Sequence, residues 1–540
     1  MSLAPPGLAA LEFDNAFARE LPGDPQRGAF VRQVTGAAWS AVSPTPVRAP
    51  RLLAHSREVA AALGLADADI ASDAFRDVFA GNALVEGMQP IATNYGGHQF
   101  GHWAGQLGDG RAITLGEVLR PDGSRHELQL KGAGLTPYSR HADGRAVLRS
   151  SIREFACSEA MHHLGIPTTR ALSLVRSGEG VVRDMFYDGH PETEPGAIVC
   201  RVAPSFLRFG HLQLPASRGE YGLLRQLAEF CVWRDFPQLL GDRAGQPLAA
   251  LRAAGAFDAG VLERWFHEVC TCTATLVGHW QRVGFVHGVL NTDNMSLSGL
   301  TIDYGPYGWI EDYDPDWTPN TTDAQGRRYR FGWQPRVAGW NLQQLAQAVL
   351  PLFDGVAPLQ RGLDAYAGAW TQAERGNASA KLGIADPPSA LAAMQALEPL
   401  LQAARIDMGL FFRALGDMDA DAPSTEAFAH CFYDEALRAR HADALQAWLS
   451  DWAGRVRAGQ RDPRTRSAAM HRANPWIVPR NWMLQQVIDA ANEGDLQPLA
   501  AALDALRQPY TVQPQAAHWV MRRPAWADDR AGCSALSCSS

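Results

Sequence analysis

The sequence lacks several features that mark whole classes of protein. No stretch of about 18 or more apolar residues occurs in the 540 residues, which excludes a membrane-spanning helix. Residues 1–25 lack a basic head followed by an apolar core, so we expect no secretory signal. Eight cysteines, none in a C-x-x-C pair, do not make a disulfide scaffold. A cytoplasmic protein that does not enter a membrane is the default expectation.

Basic tracts are also missing. The formal net charge is −8, which argues against general nucleic-acid binding. Hydrophobic content of 46% and charged content of 20% are those of an ordinary globular protein. A chain of 540 residues exceeds what one hydrophobic core usually serves, so two or three domains or lobes are expected.

Lysine is nearly absent. Lys131 and Lys381 are the only two lysines, against 47 arginines. A coding bias towards arginine explains such a ratio, and a lysine that persists under it suggests a position where a planar guanidinium does not replace a compact ammonium group. Lys131 lies in the most motif-like stretch of the chain, which supports a functional role, although chance is the alternative explanation.

The order of the patterns predicts an α+β fold in two lobes. Residues 1–85 are expected to form an N-terminal extension, and residues 86–200 a strand-rich lobe. Residues 201–520 are predicted to be a mainly helical lobe, interrupted by a functional loop at 287–305. Residues 521–540 are predicted to be a flexible tail, because the last ten residues are small and polar.

Hydrophobic periodicity places individual elements within this layout. Alternating patterns predict strands at 112–115 and 126–131, and a short apolar run predicts one at 197–203. A strand–loop–strand unit is predicted at 286–305, with its second strand at 299–302. Helical patterns are predicted at 150–164, 220–235 and 261–282, and from 340 to about 510.

A glycine-rich stretch, G-Q-L-G-D-G-R, occupies residues 105–111 just before a predicted strand. Glycines allow backbone N–H groups to approach phosphate oxygens, so Gly108, Gly110 and Arg111 are candidates for a phosphate-binding loop. An ordinary hairpin turn is the alternative, since glycine-rich turns are common.

Lys131 ends an alternating strand, and Glu154 lies on the predicted helix that follows. Protein kinases place a strand lysine against a helix glutamate in this order, and the lysine contacts nucleotide phosphates. A surface lysine and an exposed helix glutamate are the alternative.

The most specific pattern is H-G-V-L-N-T-D-N at residues 287–294, followed by D-Y-G from Asp303. Protein kinases use H-R-D-x-x-x-x-N and then D-F-G, and small-molecule kinases use H-G-D in the first motif. Asn294 and Asp303 have the spacing of the metal ligands, and their oxygens suit Mg²⁺ or Mn²⁺.

One residue breaks this pattern. Val289 stands where a kinase has its catalytic aspartate, and valine can neither accept a proton nor orient a hydroxyl. Asp293, next to Asn294, could supply a carboxylate from another direction. A conventional kinase mechanism is therefore disfavoured.

Arg201 and Arg208 lie seven residues apart, about two turns if the segment is helical, so both could point the same way. Two guanidinium groups could clamp a phosphate. Two surface arginines are the alternative.

At these residues the chain resembles the selenoprotein O family of pseudokinases. The matching stretches cover most of the chain in order, at 13–25, 96–101, 106–111, 130–154, 201–211, 287–308 and 537–540. The resemblance implies a protein-kinase-like fold that lacks the kinase aspartate, which agrees with Val289. It also implies ATP bound in an inverted orientation, and transfer of AMP to Ser, Thr or Tyr hydroxyls of proteins.

The resemblance assigns roles to individual residues. Asp293 would be the proton acceptor, and Asn294 and Asp303 would bind the metal, Mg²⁺ or Mn²⁺. Glu154 would orient Lys131. The expected nucleotide contacts are Gly108, Gly110, Arg111, Lys131, Asp143, Gly144, Arg201 and Arg208.

The C-terminal end also resembles the family, whose members carry selenocysteine or cysteine third from the end, where this chain has Cys538. Some members pair it with a cysteine three positions earlier, but here that residue is Ala535 and the nearest tail cysteine is Cys533. A redox partner for Cys538 is one interpretation, and an inert exposed thiol is the other.

Three hypotheses follow. The favoured one is a metal-dependent protein adenylyltransferase, with UTP as an alternative donor to ATP. The second is a small-molecule phosphotransferase, suggested by His287 and Gly288. The third is a non-catalytic pseudokinase that binds nucleotide and signals by shape or through the redox state of its tail.

Overall fold

The computed structural model describes residues 7–120 and 122–537, and it is a mixed α and β structure with antiparallel sheets, as the sequence predicts. The strands are β1 (Trp39–Ala41), β2 (Arg51–His55), β3 (Ile91–Thr93), β4 (Gly96–Gln99), β5 (His102–Gln106), β6 (Ala112–Leu119), β7 (Arg125–Lys131), β8 (Ala146–Val147), β9 (Arg170–Arg183), β10 (Glu192–Ala203), β11 (Phe285–Val286) and β12 (Gly308–Trp309).

The main sheet has the strand order β1-β3-β6-β7-β10-β9-β2, and β8 pairs with β10. Two small sheets lie outside it, the hairpin β4–β5 and the pair β11–β12. The strands predicted at 112–115, 126–131 and 197–203 are confirmed as parts of β6, β7 and β10.

Helices make up most of the chain beyond residue 203. They are α1 (Ala16–Glu20), α2 (Arg57–Ala62), α3 (Asp67–Ile70), α4 (Asp73–Phe79), α5 (Leu148–His163), α6 (Phe209–Ser217), α7 (Tyr221–Asp235), α8 (Leu248–Ala253), α9 (Ala259–Val283), α10 (Gln334–Val349), α11 (Ala357–Leu382), α12 (Pro387–Ala403), α13 (Met408–Gly416), α14 (Glu435–Ala458), α15 (Pro463–Ala473), α16 (Asn481–Glu493) and α17 (Gln497–Leu506). The predicted helices at 150–164, 220–235 and 261–282 are confirmed, as is the helical character of 340–510.

Local chemistry sets the ends of α9, the helix that precedes the functional loop. The Asp258 side chain accepts a hydrogen bond from the N–H of Val261 and caps the first turn. Gly284 ends the helix in the left-handed conformation, with φ of 80°, which costs glycine little. The chain then turns directly into β11 and the 287–294 loop.

The period of two in β7 and β10 separates the core from the site. Leu128 and Leu130 point into one hydrophobic cluster, together with Cys200 and Val202 of β10. The intervening residues Gln129, Lys131 and Arg201 therefore face the opposite side of the sheet, where α5 packs. Pairing of Arg201 with Gln129 in the register brings these side chains together.

Helix α5 is buried on every side, and not only on the face that its pattern predicts. Leu148, Ile152 and Phe155 pack in a cluster with α16 and α17, as expected for a core-facing stripe. Arg153 and Glu154 are equally buried, because neighbouring segments cover the polar face as well. A single sequence shows which residues are apolar, but not that a second set of elements covers the other side.

One prediction about local structure is wrong. Residues 299–302, the strand predicted before Asp303, form only a one-residue bridge between Thr301 and Thr168, and β11 pairs instead with β12. Tertiary pairing here overrides the local pattern. The condition of a helix at 201–208 is not met, since Arg201 lies in β10 and Arg208 precedes α6.

The predicted flexible tail is packed over its described part, residues 521–537. Cys533 and Leu536 are buried, and the N–H of Thr321 donates to the carbonyl oxygen of Leu536 at 2.7 Å. The N–H of Leu536 donates in turn to the carbonyl oxygen of Pro319 at 3.1 Å, so this part of the segment is bonded to residues 319–321. Cys538 lies outside the described residues. Within residues 7–120 and 122–537, no helix has the length and apolar character needed to cross a membrane.

Candidate active site

Lys131 and Glu154 form an ion pair at the edge of a large cavity. The Nζ of Lys131 lies 2.6 Å from Oε2 of Glu154, and their side chains are 11% and 2% exposed. Burial lowers the pKa of Lys131, and the neighbouring Arg111 and Arg201 lower it further, while Glu154 opposes the shift. The surface alternative for this pair is excluded, because both side chains are buried.

Asp303 joins the two arginines of the site, Arg201 and Arg208. Its Oδ1 accepts a hydrogen bond from Nη1 of Arg201, and its Oδ2 accepts one from Nη1 of Arg208. Arg201 also contacts Glu154, at 3.3 Å, so a continuous network runs from Lys131 to Arg208. Asp303 has a φ of 56°, the left-handed conformation that is uncommon outside glycine.

The electrostatics of Asp303 follow from this network. Burial alone would raise its pKa, but Arg208, Arg201 and Lys131 outweigh that effect and hold the pKa of Asp303 well below its usual range. The carboxylate is therefore ionised at any physiological pH. The predicted convergence of the two arginines occurs, although its cause is a shared carboxylate rather than helical spacing.

The glycine-rich stretch 105–111 crosses from β5 to β6 beside the same cavity. Gly108 has a φ of 68°, and a Cβ there would lie 2.3 Å from the Tyr138 ring. A Cβ at Gly110 would lie 2.9 Å from the carbonyl oxygen of Tyr138. Close packing against residue 138 therefore requires both glycines, independently of any ligand. Arg111 lines the cavity and has no ion-pair partner among the described residues.

Asp143 lines a solvent-exposed part of the cavity wall, its rim, and Gly144 follows it along the chain. The Asp143 carboxylate accepts two hydrogen bonds from Arg183, each at 2.8 Å, and its side chain is 46% exposed. Gly144 has a φ of 72°, and a Cβ there would lie 2.2 Å from the backbone of Gly134. Both residues shape the loop at the rim, and they lie outside the network of hydrogen bonds that was described around Asp303.

The 287–294 loop is held rigidly against the D-Y-G segment. The Nε2 of His287 lies 2.9 Å from the carbonyl oxygen of Ile302. Gly288 has a φ of 77°, and a Cβ there would lie 2.3 Å from the carbonyl oxygen of Pro306, so glycine at this position is a steric requirement. Val289 is buried and lines the cavity.

Asp293 and Asn294 end this loop and face the cavity. The Asn294 amide donates to the carbonyl oxygen of Val289 at 2.8 Å, which leaves its Oδ1 for another partner. Burial raises the pKa of Asp293 to about 6. Its Oδ2 accepts a hydrogen bond from Gln99, while its Oδ1 is buried and has no partner within residues 7–120 and 122–537.

The cavity has a volume of about 810 Å³, and Lys131, Asp293, Asn294 and Asp303 all line it. Seven arginine or lysine side chains line the cavity against five carboxylates, and the buried cations at its inner end are Lys131, Arg201 and Arg208, joined by Arg111. This imbalance favours a polyanionic ligand. A concave site of this size lies within the range of cavities that bind a small molecule or cofactor.

Sequence reasoning missed several polar residues of the site. Gln129 accepts a hydrogen bond from Arg201, and its position two residues before Lys131 in an alternating strand was the available signal. Gln99 contacts Asp293 from the β4–β5 hairpin, almost 200 residues away along the chain, and no local pattern indicates that contact.

The fold and the site define a class of enzyme that acts on nucleotides through a cation-lined cavity. Comparison with known proteins identifies the family. A family model described as protein adenylyltransferase SelO matches residues 29–507. A protein nucleotidyltransferase YdiU of Xanthomonas axonopodis pv. citri (strain 306) is 59% identical over 534 residues, covering 99% of this chain and all of the relative.

A second protein nucleotidyltransferase YdiU, from Azoarcus sp. (strain BH72), is 58% identical over the same share of both chains. The chain therefore belongs to the SelO/YdiU family, the selenoprotein O family, and it is a nucleotidyltransferase.

Proposed function

We propose that this enzyme transfers AMP from ATP to Ser, Thr or Tyr hydroxyls of proteins, with Mg²⁺ or Mn²⁺ as the metal and UTP as an alternative donor. The observation that carries the proposal is the Asp303 network. One ionised carboxylate joins two buried arginines beside the Lys131–Glu154 pair, at the inner end of a cavity large enough for a nucleotide.

The metal requirement rests on the donor set. Asn294 and Asp303 both line the cavity, and each offers a hard oxygen donor of the kind that Mg²⁺ and Mn²⁺ prefer. The amide nitrogen of Asn294 is already bonded to the carbonyl of Val289, so its oxygen is the atom left for a metal. The residues therefore fit a divalent cation, which would neutralise phosphate charge when bound.

The chemistry of AMP transfer supports the inverted orientation of ATP. Transfer of AMP requires attack on the α-phosphorus and release of pyrophosphate, so the α-phosphate must face the acceptor hydroxyl. The inner cations Arg111, Lys131, Arg201 and Arg208 would then hold the β- and γ-phosphates. Glu154 would keep Lys131 in place.

Asp293 is the proposed proton acceptor. Val289 has no group that can take a proton, whereas the carboxylate of Asp293 lines the cavity next to Asn294. The hydroxyl proton would pass to this carboxylate as the hydroxyl oxygen attacks phosphorus, and pyrophosphate would leave. Gly108, Gly110, Asp143 and Gly144 would shape the loops around the nucleotide.

The remaining predictions belong to the same proposal. We propose that the strand-rich and helical parts form the two lobes of a protein-kinase-like fold, with the nucleotide between them. A cytoplasmic location, protein substrates as the partners and no binding of nucleic acid or membrane stay predictions. A redox partner for Cys538 also stays a prediction.

The test uses purified protein, Mn²⁺ or Mg²⁺, and ATP labelled separately at the α- and the γ-phosphate. Mass spectrometry reads the mass added to the protein itself or to proteins of a cell extract. We expect α-label and a gain of one AMP, about 329 Da by its formula. Asp293→Asn is expected to lower the rate at least about a hundredfold.

Other outcomes would support the other hypotheses. Label from the γ-phosphate would mean a phosphotransferase in which another group replaces the missing kinase aspartate. No transfer of either label, with ATP still bound, would mean a non-catalytic nucleotide-binding protein and would overturn the proposal.

A further inference from the structure

The hairpin β4–β5 packs directly on the loop that carries Asp293. The N–H of His98 donates to Oγ1 of Thr292 at 2.7 Å. The N–H of Phe100 donates to Oδ1 of Asn291, at 3.2 Å. Two consecutive residues before Asp293 are therefore fixed by the backbone of one strand and the turn that follows it.

Glycines allow this hairpin to come so close. A Cβ at Gly97 would lie 2.6 Å from Oδ1 and 2.8 Å from Cβ of Asp293. On the opposite side, a Cβ at Gly210 in α6 would lie 2.0 Å from the carbonyl oxygen of Gly96. The hairpin is thus held between α6 and the Asp293 loop, with no room for a side chain on either contact.

Gln99 reaches from this hairpin to the carboxylate. Its Nε2 donates a hydrogen bond to Oδ2 of Asp293 at 3.2 Å. The other carboxylate oxygen, Oδ1, is buried and has no partner among the described residues. Both oxygens are therefore fixed, because an amide donor holds Oδ2 and Oδ1 packs against Gly97.

We infer that Gln99 is a positioning residue for nucleotidyl transfer, which fixes the orientation of the Asp293 carboxylate at the cavity wall. An amide suits this task because it donates to one oxygen, carries no charge and does not compete for the proton. Orientation of a general base within a few tenths of an ångström matters strongly for rate. The inference rests on the proposed role of Asp293.

Gln99→Met tests it, since methionine keeps the length and removes the donor. We expect kcat for transfer of α-labelled AMP into extract proteins to fall roughly 10- to 100-fold, with KM for ATP within about twofold of the native value. A merely structural role would lower the melting temperature or raise KM instead. Gln99→Glu keeps the shape and places a second acceptor against Asp293, so it should also lower kcat and leave ATP affinity in place.

His102→Leu is the matched control, because His102 is an exposed residue of the same hairpin. It should retain native kcat and KM. Calorimetry with ATP and Mn²⁺ measures nucleotide affinity for every variant, and thermal unfolding shows that each one is folded.

The outcomes separate the inference from the proposed function. Native kcat in folded Gln99→Met or Gln99→Glu, with Asp293→Asn inactive, would overturn the role of Gln99 and leave that of Asp293 intact. Full activity in Asp293→Asn would overturn both. If Gln99→Met does not fold, native kcat in Gln99→Glu still overturns the inference, and a change in KM without a change in kcat does so as well.

Discussion

The two lysines of this chain occupy two different kinds of buried site. The Nζ of Lys131 meets the carboxylate of Glu154 beside a cavity of about 810 Å³. The Nζ of Lys381 instead donates to the carbonyl oxygen of Arg282 at 2.8 Å and to Oδ1 of Asn474 at 3.0 Å, and lies 4.1 Å from the centre of the Phe412 ring. Within the described residues Lys381 has no carboxylate partner.

The cavity beside Lys381 is about 40 Å³, too small for a nucleotide. Lysine scarcity therefore points to buried positions that need a compact donor, and not to catalysis as such. What distinguishes Lys131 is its surroundings, namely a carboxylate partner, further cations and an open cavity. The comparison predicts that changes near Lys131 reduce activity, whereas changes at Lys381 reduce stability.

The largest expected effect is at Asp303, which joins the two arginines of the Lys131 network. Asp303→Asn removes the charge that joins Arg201 and Arg208 and a proposed metal ligand. We expect the rate of metal-dependent nucleotidyl transfer to fall roughly a thousandfold or more, since a metal contributes several kcal/mol to transition-state stabilisation. Transfer of α-labelled AMP at saturating Mn²⁺ measures it.

Asp316→Asn is the matched control, because Asp316 is an aspartate 55% exposed and paired with Arg330 at 2.8 Å. It should leave the rate unchanged. Undiminished transfer by Asp303→Asn would contradict the assignment of Asp303 as a metal ligand.

Lys131→Arg keeps the charge and changes its shape. We expect transfer to fall roughly 10- to 100-fold, because the planar guanidinium is bulkier and is hydrated differently from an ammonium group in the space beside Glu154. Initial rates at several ATP concentrations separate kcat from KM. A fully active variant would mean that only charge matters at this position.

Lys381→Met is the counterpart at the other lysine. It leaves the Arg282 carbonyl and the Asn474 side chain without a donor, which costs about 1–3 kcal/mol for each buried group. We expect a lower urea midpoint and melting temperature, with the transfer rate at 25 °C close to native. A large loss of rate in the folded variant would show that Lys381 acts on the site after all.

The same residue predicts a dependence of stability on pH. Burial lowers the pKa of Lys381 well below 10.5, and Arg282 lowers it further. Between this lowered pKa and 10.5 the unfolded chain binds more protons than the folded one, so stability rises with pH in that window. The native protein should gain stability relative to Lys381→Met as the pH rises through this window towards 10.5, by up to about 1.4 kcal/mol per pH unit. Parallel urea titrations that show a constant difference would contradict this.

The smallest effect is expected at the rim. Asp143→Asn removes an exposed ion pair with Arg183, and such pairs contribute about 0–1 kcal/mol. We expect KM for ATP to rise a few-fold, with kcat and stability near native. A loss of kcat comparable to that of Asp303→Asn would show that Asp143 acts directly on the reacting phosphate, and would weaken the distinction between inner end and rim.

Much of the fold could be predicted because it is local. The alternating residues of β7 predict a strand, and the capping residues of α9 mark where that helix begins and ends. The spacing between Asn294 and Asp303 pointed to the loop at 287–305. The strand predicted at 299–302 failed because its pairing depends on residues far away in sequence. The packing of residues 521–537 could not be predicted for the same reason, since small residues indicate flexibility only when nothing is packed against them.

The sequence by itself determined the chemical inventory of the site: a lysine and a glutamate in the kinase order, two oxygen donors at metal-ligand spacing, and Val289 where a carboxylate was expected. Only the tertiary structure decided how these groups act together. Asp303 joins Arg201 to Arg208, and Gln99 reaches Asp293 from a distant hairpin. The physical reason is that ion pairs and hydrogen bonds depend on distances of about 3 Å between atoms, whereas a sequence records only the order of residues along the chain.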